Sequence, residues 1–127
     1  MASLLGKSTR RPDIVFYPSG RIAITARISR MLTLQPGDVI DIQTDRDECN
    51  IFVRYRNPVG RHVARCHPSA GRRNSAHYIC YSRPMVKAMA AIAGMDPKRA
   101  MRFPCGYPFD QEGTVYIPII TKLPIQQ

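Results

Sequence analysis

A change of period inside residues 20–42 constrains the fold of this chain more than any other feature. The segment reads GRIAITARISRMLTLQPGDVIDI. Its apolar residues first alternate as in a half-buried strand, then fall three and four apart as on a short helix, and alternate again after a Pro-Gly-Asp turn. These residues are Ile22 and Ile24, then Ile28, Met31 and Leu32, and finally Val39, Ile40 and Ile42. A unit this small cannot bury its own apolar face, so it must interlock with another segment.

This order of residues resembles the AbrB/MazE-like swapped-hairpin family of DNA-binding domains. The shared pattern is a Gly-Arg-Ile strand, a short helix, Leu-x-Pro-Gly-Asp and a second alternating strand, with a closing strand at residues 51–55. The matching residues are Gly20, Arg21, Ile22, Ile24, Ile28, Leu32, Leu34, Pro36, Gly37, Asp38, Ile40 and Ile42. Over residues 12–56 the resemblance implies an α+β fold that is mostly β, a swapped-hairpin β-barrel with short helices, and DNA binding as the activity.

The second half of the chain has a similar pattern. Residues 77–83 alternate as a strand, Pro84 suits the first turn of a helix, and Gly94 suits its end. Residues 100–103 would then correspond to 39–42, and residues 114–120 to 51–55. We therefore predict a single domain, 1–127, with one unit at 12–56, a basic connecting loop at 57–75 and a degenerate second copy at 76–120.

Two such copies could close one pseudo-two-fold barrel within a single chain. If the second half is unrelated, the first half should instead dimerise through exchanged hairpins, because its own strands leave unpaired edges. We expect a homodimer, since two-fold symmetric assemblies suit the half-sites of DNA.

The distribution of charge indicates the kind of partner. The chain has 19 Lys and Arg residues against 9 Asp and Glu, a formal net charge of +10. Between Glu48 and Asp96 there is no acidic residue, while arginines are frequent. Guanidinium groups bind phosphate with two hydrogen bonds and stack on bases, so this imbalance favours nucleic acid over a membrane surface. Taken with the resemblance, which implies DNA binding, this imbalance makes double-stranded DNA the expected partner.

Seven arginines are candidate DNA-binding residues. Three surround the predicted first helix and take this role from the resemblance, and two lie at the end of the closing strand of the first unit. The last two lie in a Gly-Asn-Ser context typical of a basic arm or a bare exposed loop. They are Arg21, Arg27 and Arg30, then Arg54 and Arg56, then Arg72 and Arg73. At the helix start, Thr25 and Ser29 could cap the helix or contact a phosphate, and capping is favoured.

Histidines and cysteines also have a spacing that superficially suggests zinc. His62 and Cys66 form one pair, and His77 and Cys80 form another. Strand alternation would send His77 and Cys80 to opposite faces, so we predict no metal and no other cofactor. The cysteines are expected to be reduced, some of them in the core.

The remaining tyrosines and acids give no sign of catalysis. Tyr78, Tyr81, Tyr107 and Tyr116 are expected in strands and the core, and no nucleophile elbow, phosphate-cradling glycine loop or H-E-x-x-H motif occurs. We therefore predict a protein that is not an enzyme.

Localisation and function follow from these observations. No apolar run reaches membrane-spanning length, and the start of the sequence does not have the pattern of a signal peptide, which predicts a cytoplasmic protein. The predicted function is DNA binding by a small transcriptional regulator. Because Thr25 and Ser29 depart from the family pattern, the alternative is a structural or protein-interaction module built on the same barrel. RNA binding and catalysis are more distant alternatives.

Overall fold

The computed structural model describes residues 12–46, 48–69 and 77–121, which form a mostly β fold with two helices and two antiparallel sheets. The strands are β1 (Ile14–Phe16), β2 (Arg21–Ile24), β3 (Val39–Asp45), β4 (Glu48–Tyr55), β5 (His67–Pro68), β6 (Tyr78–Tyr81), β7 (Met101–Phe103), β8 (Phe109–Gln111) and β9 (Thr114–Ile119). The helices are α1 (Ala26–Met31) and α2 (Arg83–Ala93).

The two sheets enclose one hydrophobic core. The five-stranded sheet has the order β5-β6-β2-β1-β7, and the four-stranded sheet has the order β3-β4-β9-β8. Both contribute fully buried side chains to the same cluster, such as Phe16 and Ile22 from the first sheet and Ile51 and Ile117 from the second. Burying one face of each sheet in this way leaves the two opposite faces available to solvent or partners.

The expected closed barrel is not found among the described residues. The strands divide into two sheets because β2 and β3 are separated by α1 and a turn, so the chain changes sheet there instead of continuing one ladder. Among the described residues, β-bridges near the sheet edges are limited to two isolated ones, Val39 with Arg65 and Cys105 with Ile119, and no continuous ladder joins the sheets. The mostly β composition with short helices is confirmed.

The helices form where the sequence pattern indicates. Ile28 and Leu32 bury one side of α1 and its end. Ser82 accepts a hydrogen bond from the Met85 N–H at 3.2 Å and caps α2, and Gly94 ends this helix with a φ of 66°. Neither helix in the described ranges has the length and apolar content needed to cross a membrane.

The strand orders bear on the predicted repeat. If β1 and β2 are exchanged with β5 and β6, the order of the five-stranded sheet is reproduced in reverse, apart from the extra strand β7. If β3 and β4 are exchanged with β8 and β9, the order of the four-stranded sheet is reversed in the same way. Residues 101–103 do not correspond to residues 39–42 as predicted. They form β7 and pair with β1 in the five-stranded sheet, whereas residues 39–42 begin β3 in the four-stranded sheet. The hairpin β8–β9 occupies the position opposite β3–β4 instead.

The buried carboxylate of Asp38 connects three parts of the chain. Its side chain is 1% exposed and accepts hydrogen bonds from the Gln35 N–H at 2.8 Å and the Asn57 N–H at 3.0 Å. It also accepts one from the Arg56 guanidinium at 2.7 Å. Arg56 in turn donates to the Leu32 carbonyl at the end of α1, at 3.0 Å. The Pro-Gly-Asp turn, the helix end and the exit of β4 are therefore fastened to one another.

We expect Asp38→Ala to lower the free energy of unfolding by about 3 kcal/mol, because two backbone N–H groups and a guanidinium lose a buried acceptor. Urea unfolding followed by circular dichroism measures this. The matched control is Asp41→Ala, which removes another carboxylate paired with an arginine of β4, Arg54, but one that is 39% exposed. Exposed pairs contribute about 1 kcal/mol or less. Equal losses in the two variants would contradict the central place of Asp38.

Tyr78 gives a prediction for alkaline pH. Its hydroxyl donates to the Leu34 carbonyl at 3.1 Å, and burial, followed by the nearby Asp38 and Cys66, raises the pKa of the phenol. A pKa that is higher in the folded chain gives stabilisation that is complete below about pH 10 and is lost as pH rises through the folded pKa. The difference in unfolding free energy between the wild type and Tyr78→Phe should therefore stay constant up to about pH 9 and shrink as the pH rises above about 10. A difference that stays constant throughout would contradict this.

Candidate nucleic-acid interface

The outer face of the five-stranded sheet is built by strict alternation. Ile14 and Phe16 on β1, like Ile22 and Ile24 on β2, are buried in the core, so the residues between them face away from it. Register places one outer residue of each strand in a continuous row across the sheet. The row consists of His67, Ile79, Ala23, Val15 and Arg102.

A second outer row gathers polar side chains at the β1–β2 turn. Arg21 stands opposite Tyr81 on β6, and its guanidinium lies over the Tyr17 ring, 5.3 Å from the centroid. The Nε of Arg21 is buried and has no hydrogen-bond partner within the described part of the chain. Arg83, at the start of α2, reaches the same turn, where its Nε lies 3.4 Å from the Ser19 carbonyl. We call Tyr17, Arg21, Tyr81, Arg83 and Arg102 the basic face.

Acidic residues are segregated from this face. The five described strands of its sheet contain no Asp or Glu. Asp13 and Asp38 are buried and paired with arginines. Most of the other described acids belong to the hairpins of the four-stranded sheet, namely Asp41, Asp45, Glu48, Asp110 and Glu112. The positive potential of the basic face is therefore not cancelled by carboxylates on its own sheet.

The structure separates the arginines that were predicted around α1. Arg21 belongs to the basic face. Arg27 donates to the buried Asp13 carboxylate at 3.0 Å, and its side chain is 38% exposed. Arg30 lies in the last turn of α1 and is exposed. The three are thus not held as one group, and only Arg27 has a carboxylate partner among the described residues.

The two arginines at the end of the closing strand, β4, make other contacts. Arg54 lies on the four-stranded sheet, where it donates to Asp41 at 3.3 Å and to the Tyr55 hydroxyl at 3.1 Å. These contacts, led by the hydrogen bond with Tyr55, raise the pKa of its guanidinium. Arg56 holds Asp38 and the end of α1 as described above. Arg72 and Arg73 lie outside the described residues.

The two hydroxyl residues at α1 do not cap it. Thr25 occupies the N-cap position with extended backbone, but its side chain makes no capping hydrogen bond. Ser29 is only 2% exposed, so its hydroxyl points into the protein. The hydroxyls of both residues are buried without a hydrogen-bond partner in the described ranges. The prediction that one of these hydroxyls caps α1 was therefore wrong. The Ser29 N–H donates to the Thr25 backbone carbonyl, and neither side chain takes part in the helix start.

The residues that suggested zinc do not assemble. Within residues 12–46, 48–69 and 77–121, no group of three or more His, Cys, Asp or Glu side chains could hold a metal ion. Cys66 and Cys80 are instead buried neighbours. The hydrogen bond with Cys66, together with burial, raises the pKa of the Cys80 thiol well above its ordinary value. Both thiols are therefore side chains of the hydrophobic core.

Sequence reasoning missed most of the basic face. Tyr78 and Tyr81 were both expected in strands and the core, and both lie in β6, but Tyr81 is 57% exposed while Tyr78 is buried. Tyr17, Arg83 and Arg102 were not considered as site residues. The alternation of β6 was visible in the sequence, but only the pairing of β6 with β2 brings Tyr81 next to Arg21.

The opposite surface has a different chemistry. On the outer face of the four-stranded sheet, the Phe52 and Tyr116 rings lie 5.0 Å apart, and the Tyr116 and Phe109 rings stack at 5.5 Å. Asp41 stands opposite Phe52 at one end of this aromatic row. The two outer faces of the protein are therefore distinct, one basic and one aromatic with acidic neighbours.

Comparison with known proteins identifies no relative: no protein-family model, no curated protein and no solved structure matches this chain.

Proposed function

We propose that this protein binds double-stranded DNA through the basic face and acts as a small, non-catalytic regulator of transcription. The observation that carries the proposal is the segregation of charge. Arg21, Arg83 and Arg102 lie on or beside a sheet without carboxylates. The described acids are buried or belong to the other sheet, except Asp96 in the loop between α2 and β7. A duplex carries a dense, regular array of phosphates, and a one-sided cationic surface suits it.

The side chains of the basic face suit phosphate contact more than a hydrophobic partner. Arginine forms two parallel hydrogen bonds with phosphate oxygens, and a tyrosine hydroxyl can donate to a third. The Arg21 guanidinium has no carboxylate partner among the described residues, so its charge is available to such an anion. Arg54 and Arg56 are left out of the proposed interface because Asp41 and Asp38 neutralise them.

The proposal also includes the swapped-hairpin architecture. The reversible strand order supports two related units in one chain, 12–56 and 76–120, where the second also takes β5 from the connecting segment as the counterpart of β1. By its resemblance to the AbrB/MazE-like family, the segment around α1 supplies limited base readout, with Arg30 as the exposed candidate and Arg27 beside it. Assembly into a homodimer stays a prediction, and the mass in solution decides it.

A protein-interaction module is the second candidate function. The aromatic row Phe52, Tyr116 and Phe109 favours it, since exposed aromatic residues are enriched at protein interfaces. This function requires no nucleic acid. It would replace the first if the protein fails to bind DNA.

We expect affinity for a DNA duplex to fall roughly a thousandfold between about 50 and 200 mM salt, as for about six phosphate contacts. Fluorescence anisotropy with a labelled duplex measures this across a salt series. Binding that is absent at the lowest salt, or that hardly changes with salt, would remove DNA as the partner and favour the protein-interaction module.

Two double variants can separate the contribution of the basic face to DNA binding from that of the net charge. Replacing both Arg21 and Arg102 by Ala should reduce the salt slope by about two, because each phosphate contact contributes about one to it. The matched control replaces Arg46 and Arg54, in the β3–β4 hairpin of the other sheet, by Ala, which removes the same formal charge away from the face. The slope of the control should stay close to that of the wild type.

Equal loss of affinity in the two double variants would show that the protein binds DNA by net charge alone. Circular dichroism and urea unfolding of both variants provide the check on folding. All four replaced side chains lie outside the buried core, so the unfolding free energies should remain close to that of the wild type.

A further inference from the structure

A basic hollow lies beside the basic face, in a part of the chain that sequence reasoning treated as a connecting loop. Its volume is about 410 Å³. Seven residues line it: Gly60, Arg61, His62, Ala64, Arg65, His67 and Tyr81. We call it the loop hollow. Two arginines, two histidines and a tyrosine face it, and no carboxylate is among these described lining residues.

Arg65 makes the wall of the loop hollow rigid and keeps it positive. One end of its guanidinium donates to the Gly37 carbonyl at 2.9 Å, and the other to the carbonyls of Pro58 at 2.8 Å and Gly60 at 2.6 Å. The Asn57 side-chain oxygen is a fourth acceptor at 3.3 Å. All four acceptors are neutral, so the charge of Arg65 is ordered without being cancelled.

The other polar groups of the loop hollow keep donors for a ligand. Arg61, His62 and His67 are exposed, and the His62 ring packs against Tyr55 at 5.4 Å between centroids. That packing orients the imidazole and leaves its edge, where the nitrogens lie, for hydrogen bonding. Imidazole could bind a metal ion, but Arg61 and Arg65 would repel a cation here. An anion with several oxygens suits the same groups.

The loop hollow is continuous with the basic face. Tyr81 belongs to both, since it lines the hollow and stands opposite Arg21 on the neighbouring strand. His67 also lies at the end of the outer row that runs to Arg102. An anionic strand crossing the basic face along this row would therefore reach the hollow.

We propose that the loop hollow is a phosphate-binding site, and that it takes one phosphate of the DNA backbone at the edge of the basic face. The second clause rests on the proposed DNA binding. Arg61 provides the free guanidinium, His62 and His67 donate from the sides, and Arg65 adds fixed positive charge. The same chemistry would accept a free phosphate ion, so the test must separate these two sources.

The three histidines of the chain make a direct test possible. Two line the loop hollow and His77 does not. Imidazole NMR signals are recorded while sodium phosphate is added at constant pH and ionic strength, with sodium chloride as the comparison. We expect saturable shifts at His62 and His67, little change at His77, and no such change with chloride. Shifts of equal size at all three histidines, or none, would overturn the site.

A matched pair of variants tests the role of the arginine. Arg61→Ala should weaken the phosphate titration about tenfold, as for the loss of a hydrogen bond to a charged group. Arg46→Ala removes the same charge at the β3–β4 turn and should leave it unchanged. Equal effects would show that phosphate responds to net charge only, and the site would be rejected.

Titration with a DNA duplex separates the sources of phosphate. Shifts of His62 and His67 on binding, reversed by excess inorganic phosphate, support the backbone source. A duplex that binds without moving either signal would overturn the loop hollow as a DNA contact while the proposed function stands. Phosphate shifts without any duplex binding would overturn the proposed function and the backbone source together, and leave a site for free phosphate.

Discussion

The carboxylate of Asp38 is the interaction on which both sheets depend. It sits where the chain leaves α1, turns through Gly37 at a φ of 92°, and enters β3. The turn also binds the loop before β5, since the Gly37 N–H donates to the Cys66 carbonyl at 2.8 Å and the Cys66 N–H donates to the Asp38 carbonyl at 2.7 Å. An edge of the four-stranded sheet is thereby joined to an edge of the five-stranded sheet. The turn is thus a junction between sheets rather than a simple connection.

The sequence predicted local structure well and the joining of distant segments poorly. The change of period at residues 20–42 gave β2, α1 and β3, and the Pro84 and Gly94 positions gave α2, because these signals depend on neighbours a few residues apart. Whether the strands close a barrel depends on pairings between segments far apart in sequence, which no local pattern specifies. Residues 101–103 show this limit: their apolar alternation suits any strand, and only pairing with β1 decides their sheet.

The same limit explains which site residues were found. Seven arginines were named from position and charge, yet Arg27, Arg54 and Arg56 each have a carboxylate partner in the folded chain. Their partners are 14, 13 and 18 residues away in sequence, so the pairing could not be deduced from composition. Arg102 was overlooked because it lies outside the acid-free segment, although the fold brings it to the same outer row as His67. A stretch of sequence without acidic residues therefore does not predict which part of the folded surface lacks them.

Neutralisation by the protein itself divides the arginines into two classes. The arginines that bind Asp13, Asp38 or Asp41 hold secondary-structure elements together. The phosphates of a nucleic acid would have to compete with these carboxylates for the same guanidinium groups. Arg21, Arg61, Arg83 and Arg102 have no such partner among the described residues, and all four lie on or beside the outer face of one sheet. Arg65 is intermediate, since it is ordered by neutral carbonyls alone and keeps its full charge. Arg30, Arg46 and Arg99 also have no carboxylate partner in the described part of the chain, but they lie outside the five-stranded sheet. A polyanion that approaches the outer face of this sheet would meet four arginines whose charge no carboxylate of the sheet cancels.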